Sequence, residues 1–347
     1  MLRAPEMDAA LRRLVEAAIA EDLGGLPGAP GAIDQTVAAA ISPTLSCRAE
    51  ISARADGITC GLFLVAAILQ YYHPGLTWTP EVADGQAVIR GQRLGAIAGP
   101  AGALLSAERV VLNFVGHLSG IATLTHRFVK AVEAAVEGER PVICDTRKTT
   151  PGWRRLEKYA VRCGGGVNHR LGLYDAVMLK DTHLAAWGKQ SGPAQSLAEL
   201  AAQVRAALPR DMTLWLEVES LEQLAAALAG DGPDIILLDN MTTQQMRQAV
   251  RMRRQRRGTR RPLLEASGGI SLANVAAIAR TGVDRISVGA LTHSAPSLDV
   301  AMEVLFEPSG PGSPARLAAG EQDFVESPSS ATSGQAGFGE SPPSATC

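Results

Sequence analysis

Residues 142–183 read VICDTRKTTPGWRRLEKYAVRCGGGVNHRLGLYDAVMLKDTH. Two short apolar runs, VIC and AVML, enclose a stretch of helical character. Thr150 can cap a helix, and Pro151 suits its first turn, where a backbone N–H has no intrahelical partner anyway. Leu156, Tyr159, Ala160 and Cys163 then share an apolar face, and Gly164–Gly166 stop the helix. The unit is strand–helix–strand, and its charged residues collect where the strands end.

The same pattern continues downstream. LWLEVES (214–220), IILLDN (235–240), LLEASGG (263–269) and RISVGA (285–290) are near-continuous apolar runs separated by helix-like stretches. Strands apolar on both faces and alternating with helices imply a parallel sheet covered by helices. Six such units, with room for one more strand, point to a (β/α) barrel, whose chemistry sits at the carboxyl ends of the strands. Those ends carry Arg147, Lys148, Lys180, Glu217, Asp239, Ser267 and Gly289.

Upstream the pattern differs. Met7–Leu23 reads as an amphipathic helix with Leu11, Leu14, Val15, Ala18 and Ile19 on one stripe. GGLPGAPGAID breaks all periodicity. From Ala49 to Gly99 strand-like runs alternate with glycine-containing turns, and Leu104–Val132 is helical. Past Phe306 the composition turns to Pro, Gly and Ser, with FVESPSSAT from Phe324 repeated as FGESPPSAT from Phe338. Such a tail cannot bury enough apolar surface to offset the entropy of ordering, so 309–347 is expected to be disordered.

Composition narrows the function. Hydrophobic residues make up 46% of 347, enough for two domains, but aromatics are only 4%. A net charge of −2 gives no global field for nucleic acid, so an anionic ligand needs a local cluster of cations. The seven arginines in RMRRQRRGTRR (251–261) lack interleaved aromatics and read as a solvated helix end. Five cysteines, none in a CxxC or metal-knuckle spacing, suit reduced thiols in the cytoplasm. There is no signal-peptide core and no run of about 18 apolar residues to span a membrane. His117, His126 and His293 have no metal-ligand spacing, and GxGxxG and P-loop fingerprints are missing.

The cationic cluster is dense. Arg147, Lys148, Arg170 and Lys180 fall within about 35 residues, with His169 available as a fifth. Glu217 and Asp239 end successive strands. They suit Mg²⁺ on a pyrophosphate, ribose hydroxyls, or a cationic sugar transition state, and structural pairing with Lys180 or Arg147 is the plain alternative. Glu219, on the same side of its strand, could stand in for Glu217. Ser267-Gly268-Gly269 and Ser287-Val288-Gly289 offer backbone N–H groups to a phosphate.

The stretches SAERVVLNFVGHLSGIATLT, DTRKTTPGWRRLEKYAVRCGGGVNHRLGLYDAVMLKDTH, LEVES, IILLDN, LEASGGI and GVDRISVGALTHS resemble, in order, the quinolinate phosphoribosyltransferase family, over about residues 7–305. The resemblance implies an α/β fold: an N-terminal α/β sandwich domain (1–118), an open seven-stranded barrel of the type II phosphoribosyltransferase kind (119–292), and a segment, 293–308, packing back on the first domain. It implies a homodimer with shared active sites. Arg147, His169, Arg170 and Lys180 would hold the two quinolinate carboxylates, with Arg109 arriving from the partner subunit. Lys148, Glu217 and Asp239 would address phosphoribosyl pyrophosphate and its Mg²⁺, the metal through Glu217 and Asp239. Ser267, Gly268, Gly269 and Gly289 would bind the 5′-phosphate. Lys148, Glu217 and Asp239 would be the catalytic set, and nicotinate mononucleotide the product. Three departures stand out: Thr182 where the family has Asn, a longer loop after Leu23, and the tail. The rival readings are a molybdenum-transport-associated ModD-like paralogue, a nicotinate phosphoribosyltransferase, and a non-enzymatic anion-binding barrel.

Overall fold

The computed structural model describes residues 3–191, 197–256 and 261–306; the expected disordered tail, 309–347, lies outside them. Helices α1 (Ala9–Leu23) and α2 (Gln35–Ala40) precede strands β1 (Ser46–Ala53) and β2 (Gly57–Ile58). Then come α3 (Leu62–Tyr72), β3 (Thr77–Pro80), β4 (Ala87–Val88), β5 (Arg93–Pro100) and the long α4 (Ala101–Ala135). The second half runs β6 (Val142–Cys144), α5 (Arg154–Cys163), β7 (Val177–Leu179), α6 (Asp181–Ser191), α7 (Leu197–Ala207), β8 (Leu214–Val218), α8 (Leu221–Leu228), β9 (Ile235–Asp239) and α9 (Thr243–Gln255). It ends with β10 (Leu263–Ser267), α10 (Val275–Ala279), β11 (Arg285–Ser287), α11 (Ala290–His293) and β12 (Val300–Leu305).

Local chemistry sets the helix ends. Asp8 caps α1 by accepting from Ala10 and Leu11 N–H, and Gly24, at φ +78°, ends it. Leu11, Val15 and Ile19 face inward at a four-residue spacing. The loop after Leu23 holds an unexpected short helix, α2, whose cap is Asp34 accepting from Val37 N–H.

Strands β12, β1, β5 and β3 form one antiparallel sheet in that order, so the last strand pairs with the first, Arg48 opposite Leu305 and Ala53 opposite Val300. Helix α4 joins this sheet to the barrel, packing on α3 and on α5 and α10. It runs unbroken through residues 118 and 119, so the boundary expected there falls inside one helix. Gly120 lets the chain at Pro296–Ser297 lie against α4, since a Cβ there would strike the Pro296 carbonyl.

The barrel strands are all parallel, in the order β6-β11-β10-β9-β8-β7. Leu214, Leu216, Val218, Ile236, Leu238, Leu264, Ala266 and Ile286 belong to the main core. Met178, Trp215, Ile235 and Leu237, on alternate positions, form a separate interior cluster. Beside β6 a seventh position is occupied by one bridge, Cys144 to Val167, with Val167 N–H on the Ile143 carbonyl at 2.8 Å. Beyond that bridge the main chain leaves the ladder, because the His169 N–H bonds the Asp145 side chain instead. The barrel therefore comprises six laddered strands and a seventh reduced to a single rung.

Two local expectations differ from the structure. Helix α5 begins at Arg154, not at Pro151, and has no side-chain cap. The buried Glu157 carboxylate accepts the Thr150 N–H at 3.1 Å, and the Trp153 N–H closes Thr150–Trp153 into a turn on the Thr150 carbonyl at 3.0 Å, so Arg147 and Lys148 precede a turn rather than a helix start. The arginine run is not wholly solvated either. Arg253 is buried and pairs with Asp284, and Arg256 bonds the Leu228 and Gly230 carbonyls at 2.7 and 2.6 Å; residues 257–260 lie outside the described set. No helix among the described residues is long and apolar enough to cross a membrane.

Candidate active site

A cavity of about 610 Å³ opens at the carboxyl ends of the barrel strands. Arg147 and Lys148 enter it from the loop after β6, and His169 and Arg170 from the segment after the lone bridge. Lys180 follows β7, Glu217 lies on β8 and Asp239 on β9; Ser267 ends β10, Gly268 and Gly269 follow it, and Gly289 follows β11. Every one of these was singled out from the sequence. Arg109 is the exception: it sits on α4, its side chain 64% exposed beside Glu108, and lines two other hollows. Glu219 is exposed and is not among the lining residues.

The cations are separately anchored. Lys180 Nζ pairs with Glu217, the structural pairing that the sequence left open. Arg170 bonds the Ala176 carbonyl at 3.1 Å across the barrel's open side. Lys148 is pinned through its backbone: its N–H bonds Thr146 Oγ1 at 3.1 Å, and its carbonyl accepts from Thr292 Oγ1 at 2.7 Å. A Cβ on Gly289 would lie 3.3 Å from Lys148 Cδ, so glycine leaves the lysine stem its path.

His169 is not a fifth fixed cation. Burial, opposed by the Glu265 carboxylate, pushes its pKa down to about 4. Its Nδ1 accepts the Arg170 N–H at 2.7 Å, its Nε2 lies 3.4 Å from Glu265, and its ring stacks on Trp215 with centroids 4.5 Å apart. Glu265, fully buried, also accepts from Trp215 Nε1 at 3.2 Å, Arg285 Nε at 2.7 Å, and Ser287 Oγ. Burial likewise lowers Arg170 from the usual guanidinium range, with Arg147 nearby adding to the shift. A diacid entering here meets neighbouring cations that already repel one another, so its binding relieves that repulsion.

Beneath the cavity lies a second polar layer that sequence reading did not assign: Asp145, Lys158, Asn168, Trp215 and Glu265. No pattern separates the buried Glu157 and Lys158 from the more accessible arginines of the same helix. The one available signal was that Asp145, Lys158 and Asn168 fall inside the stretch 142–183. His293, read as a locally bonded histidine, does bond Ser294 Oγ at 2.6 Å, but it also lines the cavity. On β10–β9, Gly268 at φ +96° packs on Asn240, the one non-glycine residue at positive φ among those described (+52°). This close approach brings the ends of the two strands together.

The arrangement can hold a multiply charged anion against two carboxylates and a glycine-lined, N–H-rich rim. The chain is also similar to known proteins. Residues 34–119 match the N-terminal domain, and residues 121–303 the C-terminal domain, of quinolinate phosphoribosyl transferase. The chain is 42% identical over 308 residues to the nicotinate-nucleotide pyrophosphorylase [carboxylating] of Mycobacterium leprae, covering 88% of this chain and 100% of that protein. It is 42% identical over 259 residues to the probable enzyme of that name from Bacillus subtilis, covering 75% and 84%. Among solved structures it resembles NadC from Streptococcus pyogenes with TM-score 0.77 and 34% identity, over 88% of this chain and 100% of that one. A nicotinate-nucleotide pyrophosphorylase from Francisella tularensis matches with TM-score 0.76 and 32% identity, over 88% and 98%.

Proposed function

Since the chain belongs to the quinolinate phosphoribosyltransferase family, we propose that the cavity residues divide between them the work of joining quinolinate to phosphoribosyl pyrophosphate. The enzyme is a decarboxylating pentosyltransferase of NAD biosynthesis, releasing pyrophosphate and carbon dioxide and forming nicotinate mononucleotide. The observation that supports the division is convergence: four fixed cations from three separate segments meet two carboxylates in one cavity.

In this reading Arg147, Arg170 and Lys180 hold the two carboxylates, and neutral His169 shapes the wall beside them. The pyridine nitrogen attacks the anomeric carbon as the bond to pyrophosphate breaks, and the ribose carries cationic character between the two. Glu217 and Asp239 face that charge. Lys148 meets the negative charge that develops on the leaving pyrophosphate. The nitrogen, now quaternary, draws in the electron pair as the adjacent carboxylate leaves as carbon dioxide, and the ring carbon then takes a proton. Ser267, Gly268, Gly269 and Gly289 present backbone N–H groups to the 5′-phosphate.

The donor set fits Mg²⁺. Glu217 and Asp239 stand on neighbouring strands, and Asp239 is bonded by Asn240 Nδ2 at 2.8 Å, leaving carboxylate oxygen for a hard cation. Glu217 and Asp239 would share the ion with substrate oxygens. When bound, the ion supplies charge neutralisation on the pyrophosphate.

Purified enzyme mixed with Mg²⁺, phosphoribosyl pyrophosphate and quinolinate is expected to yield nicotinate mononucleotide and carbon dioxide in equal amounts. Turnover of nicotinate instead, or binding without turnover, would overturn the reading.

A homodimer with shared sites accords with Arg109, whose exposed guanidinium lies beside Glu108 and outside its own cavity. Arg109→Ala is expected to lose activity alone and to regain part of it when mixed dimers form with an Arg147→Ala chain. No recovery in dimers shown to be mixed would count against sharing. The free thiols Cys47, Cys60, Cys144 and Cys163 favour a reducing compartment, the cytoplasm, which cell fractionation would check.

A further inference from the structure

Just past β6 the barrel's hydrogen-bond ladder runs out, and side chains take its place. Asp145 Oδ1 accepts the His169 N–H at 2.8 Å, and Oδ2 accepts from Asn168 Nδ2 at 2.6 Å. Lys158 reaches the same point from α5. Its Nζ bonds Asp145 and the His169 carbonyl, the latter at 3.0 Å, and its own carbonyl takes the second amide hydrogen of Asn168 at 2.8 Å. The charges are sealed, with Asp145 0% and Lys158 1% exposed. Burial pushes the carboxyl up and the ammonium down, and their mutual attraction opposes both shifts.

A buried ion pair adds little net stability over an apolar pair of the same volume. What this one does is geometric. Asp145 stands two residues before Arg147, and Asn168 two before Arg170. Nothing in the backbone ladder fixes the distance between these two arms beyond the single bridge. We infer that Asp145 and Lys158 are positioning residues that set the spacing between the Arg147 arm and the His169–Arg170 arm, and thereby the fit to a pyridine dicarboxylate rather than to the sugar phosphate. Neither residue lines the cavity, so each acts through the arms it holds. The inference rests on the assignment of Arg147 and Arg170 to the quinolinate carboxylates.

The test uses steady-state kinetics of the full chain with each substrate varied in turn. Lys158→Met leaves a lone buried carboxylate and can fail to fold. The double variant Asp145→Asn/Lys158→Met removes both charges at nearly constant volume and keeps an acceptor for the His169 N–H. In whichever variant shows wild-type near-UV circular dichroism, KM for quinolinate is expected to rise roughly 10- to 100-fold, while KM for phosphoribosyl pyrophosphate changes less than about threefold. A general structural role would lower the yield of folded enzyme or move both constants together. Equal changes in the two constants, or none in the folded double variant, would overturn the inference. Wild-type enzyme inactive on quinolinate would instead remove the functional reading beneath it.

Discussion

Arg147→Ala raises KM for quinolinate by roughly 30- to 1000-fold, the loss expected when one partner of a desolvated charge pair is removed, about 2–4 kcal/mol. The result follows from position. Arg147 is exposed at the cavity mouth, and its backbone is held independently of its guanidinium, since its carbonyl accepts from Thr149 N–H at 3.0 Å. In the proposed reading, truncation therefore removes a bidentate carboxylate contact and leaves the loop in place. Thermal stability should shift little, because a surface side chain outside any network contributes within about 0.5 kcal/mol. Lysine at this position should restore only part of the affinity, because a point charge cannot grip a carboxylate through two parallel bonds. Unaltered quinolinate kinetics in the alanine enzyme would remove Arg147 from the diacid site.

Lys148→Ala produces the complementary phenotype: kcat falls by about 10²–10³, with KM for quinolinate nearly constant. The two residues are adjacent in sequence, but Lys148 turns toward α11, where its stem passes Gly289 and its carbonyl is held by Thr292. The stem is thus held along Gly289, and in the proposed reading its ammonium meets the charge that develops on the leaving pyrophosphate in the transition state and not in the bound ground state. Rapid-quench measurement of the first turnover distinguishes this from slow product release. If the chemical step keeps its rate in the alanine enzyme, Lys148 takes no part in it.

Much of the fold was legible because parallel barrel strands write themselves as short apolar runs with polar ends. IILLDN became β9 with Asp239 at its end, and LLEAS became β10. The cavity cations were legible for the same reason. What escaped reading depends on contacts distant in sequence. The start of α5 is set by Glu157 bonding both Thr150 and, from α4, His117 Nε2 at 3.1 Å, which no local propensity encodes. The buried roles of Lys158, Glu265 and Arg253 follow from partners such as Asp145, Arg285 and Asp284, which are 13, 20 and 31 residues away respectively. His169 looked like a cation because its identity was visible and its burial was not. Arg109 could be tied to the site only through family resemblance, since its own fold holds it elsewhere.

The pairing of β12 with β1 has a kinetic consequence. On the ribosome β1 emerges early, yet its outer neighbour is the last described strand of the chain. At about 5–20 residues per second, the nascent sheet waits roughly 10 to 50 s with one face of its hydrogen-bonding edge unmet. During that interval Arg48 and Glu50, alternating along β1, are the charges that discourage the bare strand from joining a neighbouring chain. Release of β12 is thus the event that completes the sheet to which β1 belongs.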